Sequence, residues 1–364
     1  MLKLLIADDS ALMRKYLSGI FKGEGDFDVC VARNGAEALS LARSFAPDVI
    51  TLDVNMPEMD GITCLSRIMV ECPKPVVMVS SLTSQGAEVT LQALALGAVD
   101  FITKPDGTVS LHIDKIQAEL VAKVRAAARA RPRLSRGLLE RVRSGTAAAT
   151  TPRWAPATPQ HTGGVLQDPR AAGDVRGVVL IGVSTGGPGA IETIIPRLPP
   201  NFAWPILIAQ HMPESFTGVF ARRIDNLSEL EVIEVTRPVP LRAGVVYIGR
   251  GDADLLLGRR GGTLVAIPFP ASARYNWHPS VERMVASALE QLNPSQILGV
   301  LLTGMGDDGA ATMAELRARG GRTIAESEET AVVWGMPGEL VKRGGASVVL
   351  PLQRIADQLC RWTS

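Results

Sequence analysis

Aromatic residues make up 4% of the 364-residue sequence, and cysteines and histidines number four each. The cysteines, Cys30, Cys64, Cys72 and Cys360, are scattered without metal-ligand spacing. That excludes a disulfide framework and a zinc site, and it leaves Cys30 and Cys64, in apolar segments, as reduced buried thiols. Charge of one sign is also lacking: the net value is +1, so nothing global calls for nucleic acid or a membrane as partner. No stretch approaches the roughly 20 apolar residues of a membrane span. The apolar start MLKLLIADDS stops at Asp8 and Asp9, too soon for a signal peptide, so a soluble cytoplasmic protein is expected.

What is present suits two domains, since 46% of the residues are hydrophobic and the chain is too long for one ordinary domain. In the first part, apolar runs at Leu2–Ala7, Phe27–Ala32, Val49–Leu52, Pro75–Val79 and Val99–Ile102 alternate with helical periodicity, as in Asn34–Phe45 and Gly61–Glu71. This predicts a (βα)5 domain with a doubly wound parallel sheet, whose functional groups gather at the carboxyl ends of the strands. Asp8 and Asp9 follow the first strand, Asp53 the third, Ser80 and Ser81 the fourth, and Lys104 the fifth. Three converging carboxylates repel one another unless a divalent cation lies between them, so the cluster predicts a magnesium site, with Lys104 countering the remaining charge. A carboxylate beside magnesium can attack a phosphoryl group while the Ser80 hydroxyl and the Lys104 ammonium hold the transferred oxygens. The plainer alternative, that these acids merely cap the following helices, explains Asp8 or Asp9 singly but not the whole set.

Residues 123–174 change in texture. Lys123 to Arg143 is a basic run with Arg125, Arg129, Arg131, Arg133, Arg136, Arg141 and Arg143; it has no interleaved aromatic and no helix-turn-helix, and reads as a solvated helix end rather than a nucleic-acid site. Ser144 to Gly173, rich in Ala, Thr, Pro and Gly, is a linker. As flexible coil its about 30 residues span roughly 30 Å, enough for the two domains to touch within one chain.

In residues 175–364 three segments share one design. Val178–Val183 leads into Ser184, Pro205–Ala209 into Gln210, His211 and Met212, and Ile297–Leu302 into TGMGDDGA, residues Thr303 to Ala310. In a parallel sheet these loops lie along one edge, bringing together a serine, a histidine and a carboxylate, as a catalytic triad requires. Gly182-Val183-Ser184-Thr185-Gly186 also fits a nucleophile elbow, where the next N–H groups, Thr185 among them, face a developing oxyanion. A phosphate-binding turn is the competing reading, weakened by the absence of a Walker lysine. Of the histidines, His112 falls in the last helical region of the first domain and His161 in the linker. His211 and His278 remain. The order Ser184, His211, acid is favoured over Ser184, Asp252 or Asp254, His278, because the segment around those aspartates reads as strands joined by tight turns, a β-hairpin among them.

IADDSALMR, LDVNMPEMDG, VVMVSS and DFITKP resemble the response-regulator receiver domain. The resemblance implies that Asp53 is the phosphoacceptor, that Asp8, Asp9, Asp53 and the backbone carbonyl of Asn55 hold magnesium, and that Ser80, Phe101 and Lys104 relay the phosphorylation state. GVSTGG, AQHMPESFTGVFARR, LLTGMGDDGA and ETAVVWGMPG resemble the catalytic domain of the chemotaxis protein-glutamate methylesterase (CheB) family. This implies Ser184 as nucleophile, His211 as base, Asp308 rather than its neighbour Asp307 as orienting acid, and Met305 as a second oxyanion donor. It implies no cofactor for the second domain. Implied partners are methylated cytoplasmic helices of chemoreceptors and a histidine kinase as phosphodonor, with neither nucleic acid nor membrane insertion. At WHPSVE the chain departs from the family's usual His-Arg-Pro-Ser-Val-Asp, so the role of His278 is open. The alternative function is a receiver-controlled nucleic-acid-binding or other output protein without hydrolase activity.

Overall fold

The computed structural model describes residues 1–104, 113–130 and 175–364, without the side chains of residues 84 and 113–116. Residues 131–174, with most of the basic run, the linker and His161, lie outside the described residues, as does His112.

The first domain runs β1 (Leu2–Ala7), α1 (Ala11–Gly23), β2 (Phe27–Ala32), α2 (Gly35–Ser44), β3 (Val49–Asp53), α3 (Gly61–Glu71), β4 (Val76–Ser80), α4 (Ser84–Leu96), β5 (Asp100–Thr103) and α5 (Ile113–Arg129). Its sheet has the order β2-β1-β3-β4-β5 with every pair parallel. Helices on both faces bury β3 and β4 completely, which is why those strands read as unbroken apolar runs. The chain order reverses between β1 and β3, where a crevice opens at the strand ends, and there Asp8 and Asp53 emerge. Neither caps a helix: the caps of α1 and α3 are Ser10 and Asp60, whose side chains accept from the N–H groups of Met13 and Thr63. The domain extends past the expected boundary at residue 122, because Val124, Ala127 and Ala130 are buried against Leu4, Phe21 and Val49. Lys123 and Arg125 on this helix are accordingly paired, Lys123 with Asp100 and Glu119, Arg125 with Glu24 and Asp26, rather than merely solvated.

The second domain runs β6 (Val178–Val183), α6 (Gly187–Ile194), β7 (Ile206–Gln210), α7 (Glu214–Leu227), β8 (Glu231–Val235), β9 (Val239–Pro240), β10 (Val245–Gly249), β11 (Ala253–Arg260), β12 (Thr263–Pro270), α8 (Val281–Gln291), β13 (Ile297–Leu301), α9 (Ala310–Ala318), β14 (Arg322–Glu326), α10 (Met336–Lys342), β15 (Val348–Leu350) and α11 (Leu352–Thr363). A seven-stranded parallel sheet has the order β15-β14-β13-β6-β7-β10-β8. The first strand, β6, lies in the interior with β7 on one side and β13 on the other, so the switch point falls between the strands that carry Ser184 and Asp308. The expected hairpin is β11–β12, turned by Gly261 and Gly262 at φ +55° and +83°, left-handed values that a two-residue hairpin turn demands. It joins β9 in a small antiparallel sheet.

Tyr247, fully buried on β10, ties the two sheets together: its hydroxyl donates to the Pro240 carbonyl at 2.9 Å and accepts the Arg242 N–H at 2.8 Å. Burial pushes its phenol up to about 12, so it remains a donor through neutral pH. Tyr247→Phe strands both backbone groups and should destabilise the fold by about 1–3 kcal/mol in urea unfolding; an unchanged midpoint would mean that they find other partners.

Candidate active site and phosphorylation site

Ser184 stands where β6 ends, and its own N–H is held by the Thr303 carbonyl at 3.0 Å. Glycine is needed both in the turn that follows and in the loop packed against it. Gly186 has φ +78°, and a Cβ there would lie 2.7 Å from the Val332 Cβ. Gly304, in the loop after β13, passes so close that a Cβ would stand 2.7 Å from that of Ser184. The loop carrying the acid is thereby pressed against the strand end carrying the serine.

His211 follows β7. Its Nε2 lies 2.8 Å from Asp308 Oδ2, and its Nδ1 is buried without a hydrogen-bond partner among the described residues. Asp308 is held by more than the imidazole. It also accepts the N–H groups of Val281 at 2.7 Å and Glu282 at 3.0 Å, in the first turn of α8, and the Ser280 hydroxyl at 3.2 Å. Burial alone would raise its pKa, but the hydrogen bond to His211, the charge of that ring whenever it is protonated and the two backbone donors outweigh it and hold the carboxyl below the usual carboxylate range. Its ionised form therefore stabilises the fold throughout neutral and mildly acidic pH, a contribution lost only as pH falls through the depressed value. An acid that stays ionised fixes the proton on Nε2, which leaves the Nδ1 lone pair as the basic site. Asp307 is exposed and faces Arg343 at 3.4 Å rather than His211.

Gln210, almost fully buried, donates through Nε2 to the carbonyls of Ser184 (3.1 Å) and His211 (3.0 Å), tying the two strand ends together. Trp277 stacks on the His211 ring at 5.6 Å with 12° between planes. Sequence reasoning missed Gln210, Trp277 and the clamp at Ser280. Only Ser280 carried a local signal, as a serine ahead of a helical run. Among the described residues no hydrogen bond occupies the N–H of Thr185 or Met305, the two expected oxyanion donors. The alternative histidine, His278, is also paired with a carboxylate, Asp254, at 2.9 Å, whereas Asp252 is exposed and adopts φ 57°.

In the first domain, Asp8, Asp9 and Asp53 offer ligand atoms within 4.8 Å of one another. Lys104 reaches Asp53 at 2.8 Å and Asp8 at 3.2 Å, yet the buried Asp8 Oδ2 has no properly directed hydrogen bond. An oxygen-only, half-satisfied acidic set of this kind fits a magnesium ion. Burial raises the Asp53 pKa, with Lys104 pulling against it; Lys104 is itself raised, its desolvation outweighed by the two carboxylates. Asn55 follows in the same loop, its N–H 3.4 Å from Asp53 Oδ1. Ser80 donates to the Gly86 carbonyl at 3.2 Å, away from Asp53.

The domains meet over the active site. Phe101 stacks on Phe216 of α7 at 4.4 Å, and the Thr185 hydroxyl donates to Asp100 at 2.7 Å in a buried bond. Helix α4 packs on α6 and α7, and one apolar cluster runs through both domains. A cavity of about 240 Å³ remains between them, lined by Phe101 and Lys123 on one side and Ser184, His211 and Trp277 on the other.

Fold and site together define a receiver joined to an α/β domain whose switch point gathers serine, histidine and aspartate. The family model described as CheB methylesterase matches residues 179–359, and that of the response regulator receiver domain matches residues 4–114. The chain is 59% identical to protein-glutamate methylesterase/protein-glutamine glutaminase 3 of Rhodospirillum rubrum, covering 100% of this chain and 97% of that protein. It is 55% identical to a second such enzyme from Rhodopseudomonas palustris, over 100% and 98% of the two chains. The CheB methylesterase catalytic domain of Thermotoga maritima aligns at 39% identity, with a TM-score of 0.49 over 51% of this chain and 97% of that one. The chain belongs to the CheB methylesterase family.

Ser184→Ala, His211→Ala and Asp308→Ala should each lower esterase kcat by about 10³-fold or more, and pairs should cost little beyond the worst single change, since the three act as a unit. His211→Ala should cost far more than His278→Ala; the reverse ranking would establish the alternative histidine. With magnesium and acetyl phosphate, Asp53 should be labelled and Asp53→Asn should not; equal labelling of the variant would refute the site.

Proposed function

We propose that this protein is a phosphorylation-regulated serine esterase that hydrolyses glutamyl methyl esters on the cytoplasmic helices of chemoreceptors to glutamate and methanol. It also deamidates receptor glutamines and serves chemotactic adaptation in the cytoplasm. The observation that carries the reading is His211, fixed by an ionised Asp308 through Nε2 and left with a free Nδ1 at the edge where Ser184 emerges. Family membership favours this over a receiver-controlled nucleic-acid-binding protein. No described helix is long and apolar enough to cross a membrane.

His211 Nδ1 takes the Ser184 proton as the oxygen attacks the carbonyl carbon. The oxyanion is met by the free N–H groups of Thr185 and Met305, each donor typically worth ~10²- to 10³-fold in rate. His211 returns its proton to the leaving methoxide or amine, then draws one from water, which attacks the acyl-enzyme and frees glutamate. In the receiver, Asp8, Asp9, Asp53 and the Asn55 carbonyl would hold magnesium, which when bound neutralises the carboxylates and draws charge from the phosphoryl oxygens. Asp53 is the phosphoacceptor, served by a histidine kinase, and Lys104 holds the transferred oxygens.

The unphosphorylated receiver restrains the esterase through the contacts described. Asp100 engages the side chain of an oxyanion-hole residue, and Phe101, stacked on Phe216, forms part of the cavity wall opposite Ser184. Phosphorylation of Asp53 draws Ser80 from Gly86, frees the space that Phe101 occupies on α7, and loosens the interface. A tenfold activation of a mostly closed enzyme needs only about 1.4 kcal/mol of preference for the open state.

Receptor membranes carrying labelled methyl groups should release methanol with the full-length protein, and faster after a phosphodonor is added; no release would refute the function. Asp100→Ala or Phe101→Ala should raise the unphosphorylated rate several-fold and blunt the response to phosphodonor. Residues 174–364 alone should exceed the unphosphorylated full-length protein in activity. A folded fragment that is no more active would refute covering by the receiver and favour recruitment of the enzyme to its receptor.

A further inference from the structure

Two imidazoles line the cavity that holds Ser184, and the mechanism above uses only His211. The other, His278, is held as deliberately as the first. Its Nδ1 lies 2.9 Å from Asp254 Oδ1, and that oxygen also accepts the Ser280 N–H at 2.7 Å. The second carboxylate oxygen is paired with the Arg283 guanidinium, which lies over the rings of Phe269 at 5.2 Å and Tyr275 at 5.7 Å. The Asp254 side chain is wholly buried. With a guanidinium and a backbone N–H directed at it, its oxygens act as acceptors, toward the His278 ring as well.

An acceptor at Nδ1 fixes the tautomer of the neutral ring: Nδ1 carries the proton and Nε2 the lone pair. Among the described residues no hydrogen bond occupies Nε2, and the side chain keeps 19% of its surface accessible on the wall shared with Ser184, His211 and Trp277. A bracing role for α8 would account for Asp254, Ser280 and Arg283. It gives no reason for an imidazole, its acceptor nitrogen without a hydrogen bond among the described residues, in the wall of the cavity.

We propose that His278 is a specificity-determining residue for the amide substrate, its Nε2 accepting an N–H from the carboxamide of a receptor glutamine. A primary carboxamide offers two N–H donors, whereas a methyl ester offers none, so an acceptor fixed in the wall favours glutamine over glutamyl methyl ester. The inference rests on the function proposed above and concerns the balance between its two substrates. One neutral hydrogen bond corresponds to about three- to tenfold in kcat/KM.

The test uses the full-length protein with a phosphodonor and one receptor cytoplasmic fragment that carries either glutamine or glutamyl methyl ester at the same position. Ammonia and methanol release are followed separately. His278→Ala should lower kcat/KM for the glutamine form about three- to tenfold more than for the ester form. His278→Gln, whose carbonyl oxygen can replace the Nε2 acceptor, should recover part of that ratio. An unchanged ratio in His278→Ala, or a parallel loss of both activities, would overturn the proposal and mark the residue as a brace. If the unsubstituted protein released neither product, the function itself would fall, and the proposal with it; methanol release from the unsubstituted protein separates the two failures.

Discussion

The active site depends on how one carboxylate is kept charged away from water. Among the described residues Asp308 pairs with no lysine or arginine; its charge is met by two backbone N–H groups at the start of α8, a serine hydroxyl and the His211 imidazole. Donors at a helix N-terminus are already in place before the acid arrives, so they cost no rearrangement when it docks. A carboxylate so held can orient an imidazole without neutralising it through a full ion pair. This constraint explains why the WHPSVE segment must sit under the loop after β13, although it is far from Asp308 in sequence. Gly309, at φ +87°, lets the acid's loop come down onto Val281.

The receiver repeats the same economy in another form. Among the described residues its acidic cluster is held by one ammonium, Lys104, which leaves Asp53 raised by burial and Asp8 incompletely satisfied. A site poised in this way is sensitive to the arrival of a cation or a phosphoryl group, because either one changes the largest local charge. In the regulation proposed above the change passes through β5, the strand bearing Asp100 and Phe101 as well as leading to Lys104. Those two side chains touch Thr185 and Phe216 of the other domain, so the acidic cluster and the turn after Ser184 are linked by one short strand.

Much of this was legible in the sequence, for a physical reason. Strands of a doubly wound parallel sheet are buried on both faces, so each reads as a short apolar run, and topology sends whatever polar residue follows to one edge. That is why Asp8, Asp53 and Lys104 on one sheet, and Ser184, His211 and the DDG aspartates on the other, were identifiable as groups. The hairpin was legible as strands joined by tight turns, and Gly261 and Gly262 make its turn. The end of the receiver was not, since a basic, Ala-rich helix end reads as solvated until Val124, Ala127 and Ala130 are seen against Leu4 and Phe21.

Local sequence thus determined two parallel sheets, their catalytic edges and the residue types gathered there, because burial and strand order act on short windows of chain. Only the tertiary structure decided between Asp307 and Asp308, exposed the free Nδ1 of His211, brought Gln210 and Trp277 to the site, gave His278 its own carboxylate and laid the receiver over the cavity. Each of those depends on the direction of a side chain or on groups distant in sequence, and such directions are set by packing that no short stretch contains.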